Sequence, residues 1–129
     1  MIKPGGSRIL IIEDSKATSV VLKEVLESEG HTILLAGDGV AGIALVRREK
    51  PDLVLLDLLL PKLNGYEVCN TIKRDNATRH IPVLIISTMD SPESVEKAKL
   101  CGAKDFIRKP YDLDDLLREI RRLLPEKKG

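Results

Sequence analysis

The stretch Leu53-Val54-Leu55-Leu56-Asp57 decides the fold of this 129-residue chain. A short continuous run of valine and leucine is typical of a strand that is buried on both faces, as in a parallel sheet covered by helices. Asp57 ends the run, and open α/β sheets bind their ligands at the carboxyl ends of their strands. The sequence therefore predicts an α/β fold with a functional carboxylate at Asp57.

Four further strand candidates alternate with five helix candidates along the chain. The predicted strands are 9–12, 32–36, 53–56, 82–86 and 105–108. Regular β–α alternation gives one parallel sheet with helices on both faces, a doubly wound fold of three layers. We expect residues 1–7 to form a flexible leader, residues 8–124 a single domain and residues 125–129 a short tail.

The predicted helices are amphipathic to different degrees. In the first, Val21, Leu22, Val25 and Leu26 form an apolar stripe that ends before Gly30. In the second helix, Ile43 and Val46 are predicted to face inward. Asn64 caps the third helix, with Val68 and Ile72 inward, and Ser91 and Pro92 start the fourth, with Val95 and Ala98 inward. Asp112 caps the fifth helix, whose inward residues are Leu113, Leu116, Leu117, Ile120 and Leu124. The fourth helix has the thinnest stripe, so we expect it to be the most easily displaced.

The composition is that of one globular domain and argues against several classes of protein. Hydrophobic residues make up 43% of the chain, charged residues 32%, and the net charge is +1. There is thus no basic excess for a nucleic-acid surface, and no apolar stretch reaches the roughly 20 residues of a membrane helix. Cys69 and Cys101 lack metal-ligand spacing, and we expect both to be small buried apolar residues of a reduced, cytoplasmic protein. We expect His31 and His80 to be ordinary loop or surface residues.

Chemically matched side chains follow the predicted strands. Glu13 and Asp14 follow the first strand, Asp57 the third and Lys109 the fifth, and Ser87 lies at the end of the fourth. Two like charges 4 Å apart repel by about 4 kcal/mol at an effective dielectric near 20, so three clustered carboxylates favour a bound cation. An all-oxygen site with few protein ligands suits Mg²⁺. Asp57 could then attack phosphorus and hold it as an acyl phosphate, with Lys109 and Ser87 contacting the phosphoryl oxygens.

Four short motifs occur in a fixed order along the chain. They are Ile-Ile-Glu13-Asp14-Ser, Asp57-Leu-Leu-Leu-Pro61 with Asn64-Gly65, Ile-Ile-Ser87-Thr, and Gly102-Ala103-Lys-Asp-Phe106-Ile-Arg-Lys109-Pro110. The ordered set resembles the response-regulator receiver domain of bacterial two-component signalling, over nearly all of residues 8–124. The resemblance implies a flavodoxin-like fold with five helices and a five-stranded parallel sheet of strand order 2-1-3-4-5.

The same resemblance implies roles for the acidic residues. Asp57 would be the phosphoacceptor. Asp14 and Asp57 would bind Mg²⁺ directly, Glu13 would bind it through water, and the Leu59 backbone carbonyl would add a ligand. Lys109 would pair with the phosphoryl group.

The resemblance also implies a conformational switch. The peptide bond between Lys109 and Pro110 would be cis. Ser87 would move toward the phosphoryl group, and Phe106 would turn inward into the vacated space. These movements would alter the surface formed by the fourth helix, the fifth strand and the fifth helix. The protein would thus be a signalling switch rather than an enzyme, catalysing only its own phosphotransfer and a slow self-dephosphorylation.

The implied partners follow from this switch. The phosphodonor would be a phosphohistidine on a sensor histidine kinase or a histidine phosphotransfer protein, and the altered surface would control a downstream protein or output domain. No direct contact with nucleic acid or membrane is expected. Asp105, Arg118 and Arg122 could join a phosphorylation-dependent dimer across the same surface, although solvated charges are the commoner explanation of such residues.

Two positions bear on the lifetime of the phosphate. Leu59 and Met89 lie two residues after Asp57 and Ser87, where relatives often have polar side chains. Neither apolar side chain can orient an attacking water molecule by hydrogen bonding. We therefore expect comparatively slow self-dephosphorylation.

Three other functions compete with phosphoacceptance. A hydrolase of the haloacid-dehalogenase type needs a second aspartate two residues after the nucleophile, where this chain has Leu59. A flavin-binding module needs a hydroxyl- and glycine-rich phosphate loop after the first strand, where Glu13 and Asp14 would repel the phosphate. A receiver-like scaffold that no longer takes phosphate is the third alternative. Nor does the sequence choose between a stand-alone regulator and a receiver that belongs to a larger protein.

Overall fold

The computed structural model describes residues 6–124, which form a five-stranded parallel sheet with helices on both faces. The elements in chain order are β1 (Arg8–Ile12), α1 (Lys16–Ser28), β2 (Thr32–Ala36), α2 (Gly39–Glu49), β3 (Leu53–Leu56), α3 (Gly65–Arg74), β4 (Val83–Ser87), α4 (Pro92–Leu100), β5 (Asp105–Arg108) and α5 (Leu113–Leu123). The strand order is β2-β1-β3-β4-β5, and all four neighbouring pairs are parallel. The predicted doubly wound fold is thus confirmed.

Two hydrophobic clusters, one on each face of the sheet, hold the helices in place. In β1, Ile9 and Ile11 pack in the cluster that includes α1 and α5, whereas Leu10 and Ile12 pack in the cluster that includes α2, α3 and α4. This division follows the two-residue period of a strand. Because helices cover both faces, β3 and β4 are buried at every residue, which explains their continuous apolar sequence.

Each helix begins at a residue whose polar side chain accepts a hydrogen bond from a backbone N–H of the first turn. The five capping residues are Ser15, Asp38, Asn64, Ser91 and Asp112. Three of them were predicted, and their local chemistry is sufficient to define a helix start. The thin stripe of α4 is also confirmed, since Ala98 is its single buried residue. Within residues 6–124, no helix is both long and apolar enough to cross a membrane.

The inward faces of α1 and α5 differ from the sequence prediction. Val21 is 57% exposed, because the buried stripe of α1 runs through Leu22 and Leu26. Leu113 is 39% exposed at the first turn of α5, and Leu123, which the prediction omitted, is buried at its end. In both helices the error lies in the rotation of the helix about its axis, which depends on the neighbouring elements.

The residue before β1 contacts the turn that precedes β2. Ser7, assigned to the leader, is buried, and its backbone N–H donates to Nδ1 of His31 at 3.1 Å. Burial lowers the pKa of His31, which favours the neutral ring that accepts this hydrogen bond. The remainder of the predicted leader, residues 1–5, and the predicted tail, residues 125–129, lie outside the described residues.

The two neighbouring α1 residues Leu22 and Val21 offer a test of this packing. We expect Leu22→Ala to lower the free energy of unfolding by about 2–5 kcal/mol, because it leaves a cavity under α1. Val21→Ala should change it by less than about 0.5 kcal/mol, since the side chain is largely in water. Urea denaturation followed by circular dichroism measures both values. Equal effects of the two substitutions would contradict the observed orientation of α1.

Candidate functional site

Backbone hydrogen bonds place the functional side chains at the carboxyl edge of the sheet. The N–H of Asp57 donates to the carbonyl of Ile12 at 3.1 Å, and the N–H of Lys109 donates to the carbonyl of Ser87 at 2.9 Å. Each bond continues the sheet ladder by one residue beyond a strand. Strands β1 and β3 end at the same level, and β4 and β5 end together two residues further along. Glu13, Asp57 and Lys109 therefore all follow strand ends at the carboxyl edge of the sheet, with β4 between Asp57 and Lys109.

Three carboxylates and one ammonium group form the centre of the site. Oxygen atoms of Glu13, Asp14 and Asp57 lie within 4.8 Å of one another. Glu13 and Asp57 are buried, with exposures of 8% and 7%, whereas Asp14 is exposed. Lys109 Nζ lies 2.9 Å from Asp57 Oδ2 and 3.3 Å from Glu13 Oε2. When all four groups are ionised, two negative charges remain in excess, and such an all-oxygen donor set fits a hard divalent cation.

Burial and the neighbouring charges shift the pKa values of two of these groups. Burial, a hydrogen bond to Asp57 and the negative charge of Asp57 raise the pKa of Glu13 from 4.5 to about 7, against the opposing effect of Lys109. Burial alone would lower the pKa of Lys109, but its hydrogen bond and ion pair with Asp57 and the charge of Glu13 outweigh burial and raise it. The ammonium group is therefore held charged, and Glu13 takes up a proton readily.

The turn after β3 fixes the orientation of Asp57. The N–H of Leu59 donates to Asp57 Oδ1 at 3.0 Å, so each carboxylate oxygen has its own donor. Gly65, the first residue of α3, packs directly against this turn, and a Cβ there would lie 2.6 Å from the Asp57 carbonyl oxygen. Only glycine allows this approach. The sequence motif contained Gly65, but the reason for it is visible only in three dimensions.

The two predicted switch residues lie in the neighbouring strands β4 and β5. Ser87 is fully buried, and its Oγ accepts a hydrogen bond from the N–H of Met89 at 3.1 Å, within the loop between β4 and α4. Phe106 is partly buried against the cluster that includes α2, α3 and α4. The Lys109–Pro110 peptide bond is cis.

One residue beside the site was not identified from the sequence. Tyr111 lines a cavity of about 10 Å³ together with Glu13, Asp57 and Lys109. A cavity of this size is at the lower limit for one water molecule. Burial raises the pKa of Tyr111. Its position two residues after Lys109 was the available signal, but the sequence gives no indication of the direction of its side chain.

A doubly wound sheet with paired acidic residues after β1, an aspartate after β3 and a lysine after β5 defines a class of signalling proteins. The chain belongs to the response regulator receiver domain family, whose pattern matches residues 9–121. The identification predicted from the ordered motifs is thus confirmed. The chain is a receiver domain of a two-component system, and receiver domains act as signalling switches.

Individual relatives support this assignment. The chain is 41% identical over 118 residues to the protein PilH of Pseudomonas aeruginosa, covering 92% of this chain and 98% of PilH. It superposes with a TM-score of 0.86 and 34% identity on the signal receiver domain of a signal transduction histidine kinase from Syntrophus aciditrophicus, covering 92% and 90% of the two chains. The Mn²⁺-bound response regulator Rcp1 gives a TM-score of 0.77 with 32% identity, covering 91% of each chain.

The raised pKa of Glu13 predicts a pH-dependent stability in EDTA. The folded chain holds a proton on Glu13 up to about pH 7, whereas the unfolded chain loses it near 4.5. The contribution of this proton to the free energy of unfolding is therefore fully present below the pKa of Glu13 in the unfolded chain. It disappears as the pH rises through the pKa of Glu13 in the folded chain. Relative to Glu13→Gln, the wild type should lose on the order of 3 kcal/mol of unfolding free energy between these pH values. Urea denaturation at several pH values measures this difference, and parallel pH profiles would contradict it.

Proposed function

We propose that this chain accepts a phosphoryl group on Asp57 from a phosphohistidine of a sensor histidine kinase or a histidine phosphotransfer protein. The observation that supports this most directly is the ion pair of Lys109 with Asp57 at 2.9 Å, beside two further carboxylates. The pair places a positive charge where the oxygens of a phosphoryl group on Asp57 would lie. Such positioning and neutralisation are most of what phosphoryl transfer requires of a protein.

Mg²⁺ is the cofactor that we propose for the acidic cluster. Asp14 and Asp57 would bind it directly, Glu13 through water, and the Leu59 backbone carbonyl would complete the protein ligands. The excess negative charge of the cluster supports a divalent cation, as does the Mn²⁺ bound in the related Rcp1 structure. When bound, the ion neutralises part of the charge on the phosphoryl oxygens and so allows an anionic donor to approach.

The phosphotransfer step follows from the residues around Asp57. A carboxylate oxygen of Asp57 attacks phosphorus, the bond from phosphorus to the donor imidazole nitrogen breaks, and its electron pair stays with that nitrogen. The hydrogen bond from the Leu59 N–H to Oδ1 keeps the carboxylate in place. Lys109 exchanges its contact with Oδ2 for one with a phosphoryl oxygen.

Phosphorylation would then change the signalling surface. Adding roughly −1.5 to −2 charges at Asp57 favours an arrangement in which the Ser87 hydroxyl donates to the phosphoryl group. The hydrogen bond from Met89 N–H to Ser87 Oγ supports movement of the whole loop with this hydroxyl. Phe106 would turn inward and reshape the groove of about 260 Å³ between α4 and β5. Shifting the populations from 1:99 to 99:1 takes about 5.5 kcal/mol, which charge-assisted bonds from Ser87 and Lys109 could supply.

The α4-β5-α5 surface is the proposed contact for a downstream protein or output domain, with no direct contact to nucleic acid or membrane. In the described chain Arg122 pairs with Asp105 at 3.0 Å, and Arg118 pairs with Asp115 at 2.9 Å. In a phosphorylation-dependent dimer, these ion pairs within one chain would therefore be replaced by ion pairs between two chains. We place this function in the cytoplasm, where free thiols such as those of Cys69 and Cys101 persist.

The phosphoacceptor is tested with acetyl phosphate and Mg²⁺. We expect the wild type to gain the mass of one phosphoryl group and Asp57→Asn to gain none, because an amide oxygen is a poor nucleophile. Asp75→Asn, at the far end of α3, is the matched control and should be labelled like the wild type. Intact-protein mass spectrometry gives the result, and EDTA should abolish labelling. Stable labelling of Asp57→Asn would refute the assignment, and an unlabelled wild type would favour a receiver-like scaffold that takes no phosphate.

The phosphate lifetime is tested at Leu59 and Met89. Leu59 is 52% exposed beside Asp57, and Met89 is partly buried in the loop after Ser87. Leu59→Asn and Met89→Glu introduce groups that can orient water, and we expect at least one to shorten the acyl-phosphate half-life by roughly tenfold. Leu100→Asn, at the opposite end of α4, should leave the half-life unchanged. If neither variant shortened it, apolar character at these positions would not explain a slow hydrolysis.

A further inference from the structure

Helix α4 packs against α3 and β5. It buries only Ala98 within its own length. A stripe of α3 with helical spacing, formed by Tyr66, Cys69 and Lys73, contacts α4 or the turn that ends it. Cys69 Sγ donates a weak hydrogen bond to the Cys101 carbonyl at 3.5 Å. We name these three residues the α3 stripe.

Tyr66 makes the most specific of these contacts. Tyr66 is buried, with an exposure of only 8%. Its hydroxyl donates to the backbone carbonyl of Ser94, in the first turn of α4, at 3.3 Å. The ammonium group of Lys97 lies 4.5 Å from the centre of the Tyr66 ring, which is the geometry of a cation–π contact. Tyr66 therefore contacts α4 in two ways, through a hydrogen bond to its backbone and through a cation–π contact with the Lys97 side chain.

The position of α4 also limits the loop that ends at it. Ser91 caps α4 only four residues after Ser87, and the Met89 N–H in this loop binds Ser87 Oγ. The loop is thus too short to move far while the first turn of α4 stays in place. Contacts that hold α4 against α3 therefore also oppose the loss of the hydrogen bond between Ser87 and Met89.

We propose that Tyr66 is a positioning residue that holds α4 in its unphosphorylated position and thereby restrains the loop carrying Ser87. Its effect on phosphorylation rests on the function proposed above, whereas its hold on α4 does not. A looser α4 increases the population in which Ser87 is free, and a donor that favours this population then reacts faster. A tyrosine that merely filled the core would tolerate loss of its hydroxyl without either effect.

The test uses substitutions that keep the buried ring or the length of the side chain. Tyr66→Phe removes only the hydroxyl, and Lys97→Met removes only the charge. Lys97→Arg keeps a cation over the ring and should behave as the wild type. Lys99→Met is the matched control, because it makes the same change two residues along α4 from Lys97. Hydrogen–deuterium exchange of the α4 amides is measured without phosphodonor, and the initial rate of labelling is measured with acetyl phosphate and Mg²⁺.

We expect Tyr66→Phe to speed exchange of the α4 amides by about fivefold, as for the loss of one hydrogen bond. Lys97→Met should speed it by about threefold. Amides of β1, β3 and α5 should keep their wild-type exchange, and the labelling rate of Tyr66→Phe should rise rather than fall. Unchanged α4 exchange in both variants, or equal acceleration throughout the domain, would overturn the proposal. If the wild type were not labelled, the proposed function would fail, and the exchange of α4 would still decide the role of Tyr66.

Discussion

The two ion pairs of Lys109 are the interaction on which the rest of the structure depends. Its side chain, only 21% exposed, extends from the end of β5 and pairs with Asp57 after β3 and with Glu13 after β1. Without it, two buried carboxylates would face each other in a low-dielectric pocket. Even with it, burial and the neighbouring Asp57 carboxylate raise the pKa of Glu13 to about 7. The carboxylates of the unphosphorylated pocket are therefore in an unfavourable environment, and an added cation or phosphoryl group changes the balance between their charges and that of Lys109.

This arrangement divides the domain into a firmly packed part and a part that can respond. Strands β1, β3 and β4 are flanked on both sides and buried on both faces, so their carboxyl ends are rigid supports. Strand β5 has a single neighbour, and only partly buried or exposed residues. Since β5 leads directly into Lys109, the least constrained strand supplies the group that is most sensitive to charge at Asp57. A local electrostatic change thus acts on an element that has the freedom to move.

The sequence was sufficient where local chemistry alone determines structure. Continuous apolar runs identify buried parallel strands, and caps such as Asn64 and Asp112 identify helix starts. The acidic cluster was also predictable, because parallel strands bring their carboxyl ends to one edge. Val21 and Leu113 were misplaced because an apolar residue beside a stripe can face either way, and only the packing partners decide its orientation. Tyr66 escaped notice for a related reason, since its contacts join residues 28 positions apart.

The close packing of Gly65 against the Asp57 backbone has a consequence for how such a domain can diversify. Atoms on the two sides of this contact leave no room for a side chain. The segment from residue 57 to residue 65 therefore has a fixed length, and an insertion or deletion in it would displace the carboxylate of Asp57. New partner preferences would have to arise by substitution on the outer faces of the helices, where exposed positions such as Val20 and Leu100 carry no such geometric demand.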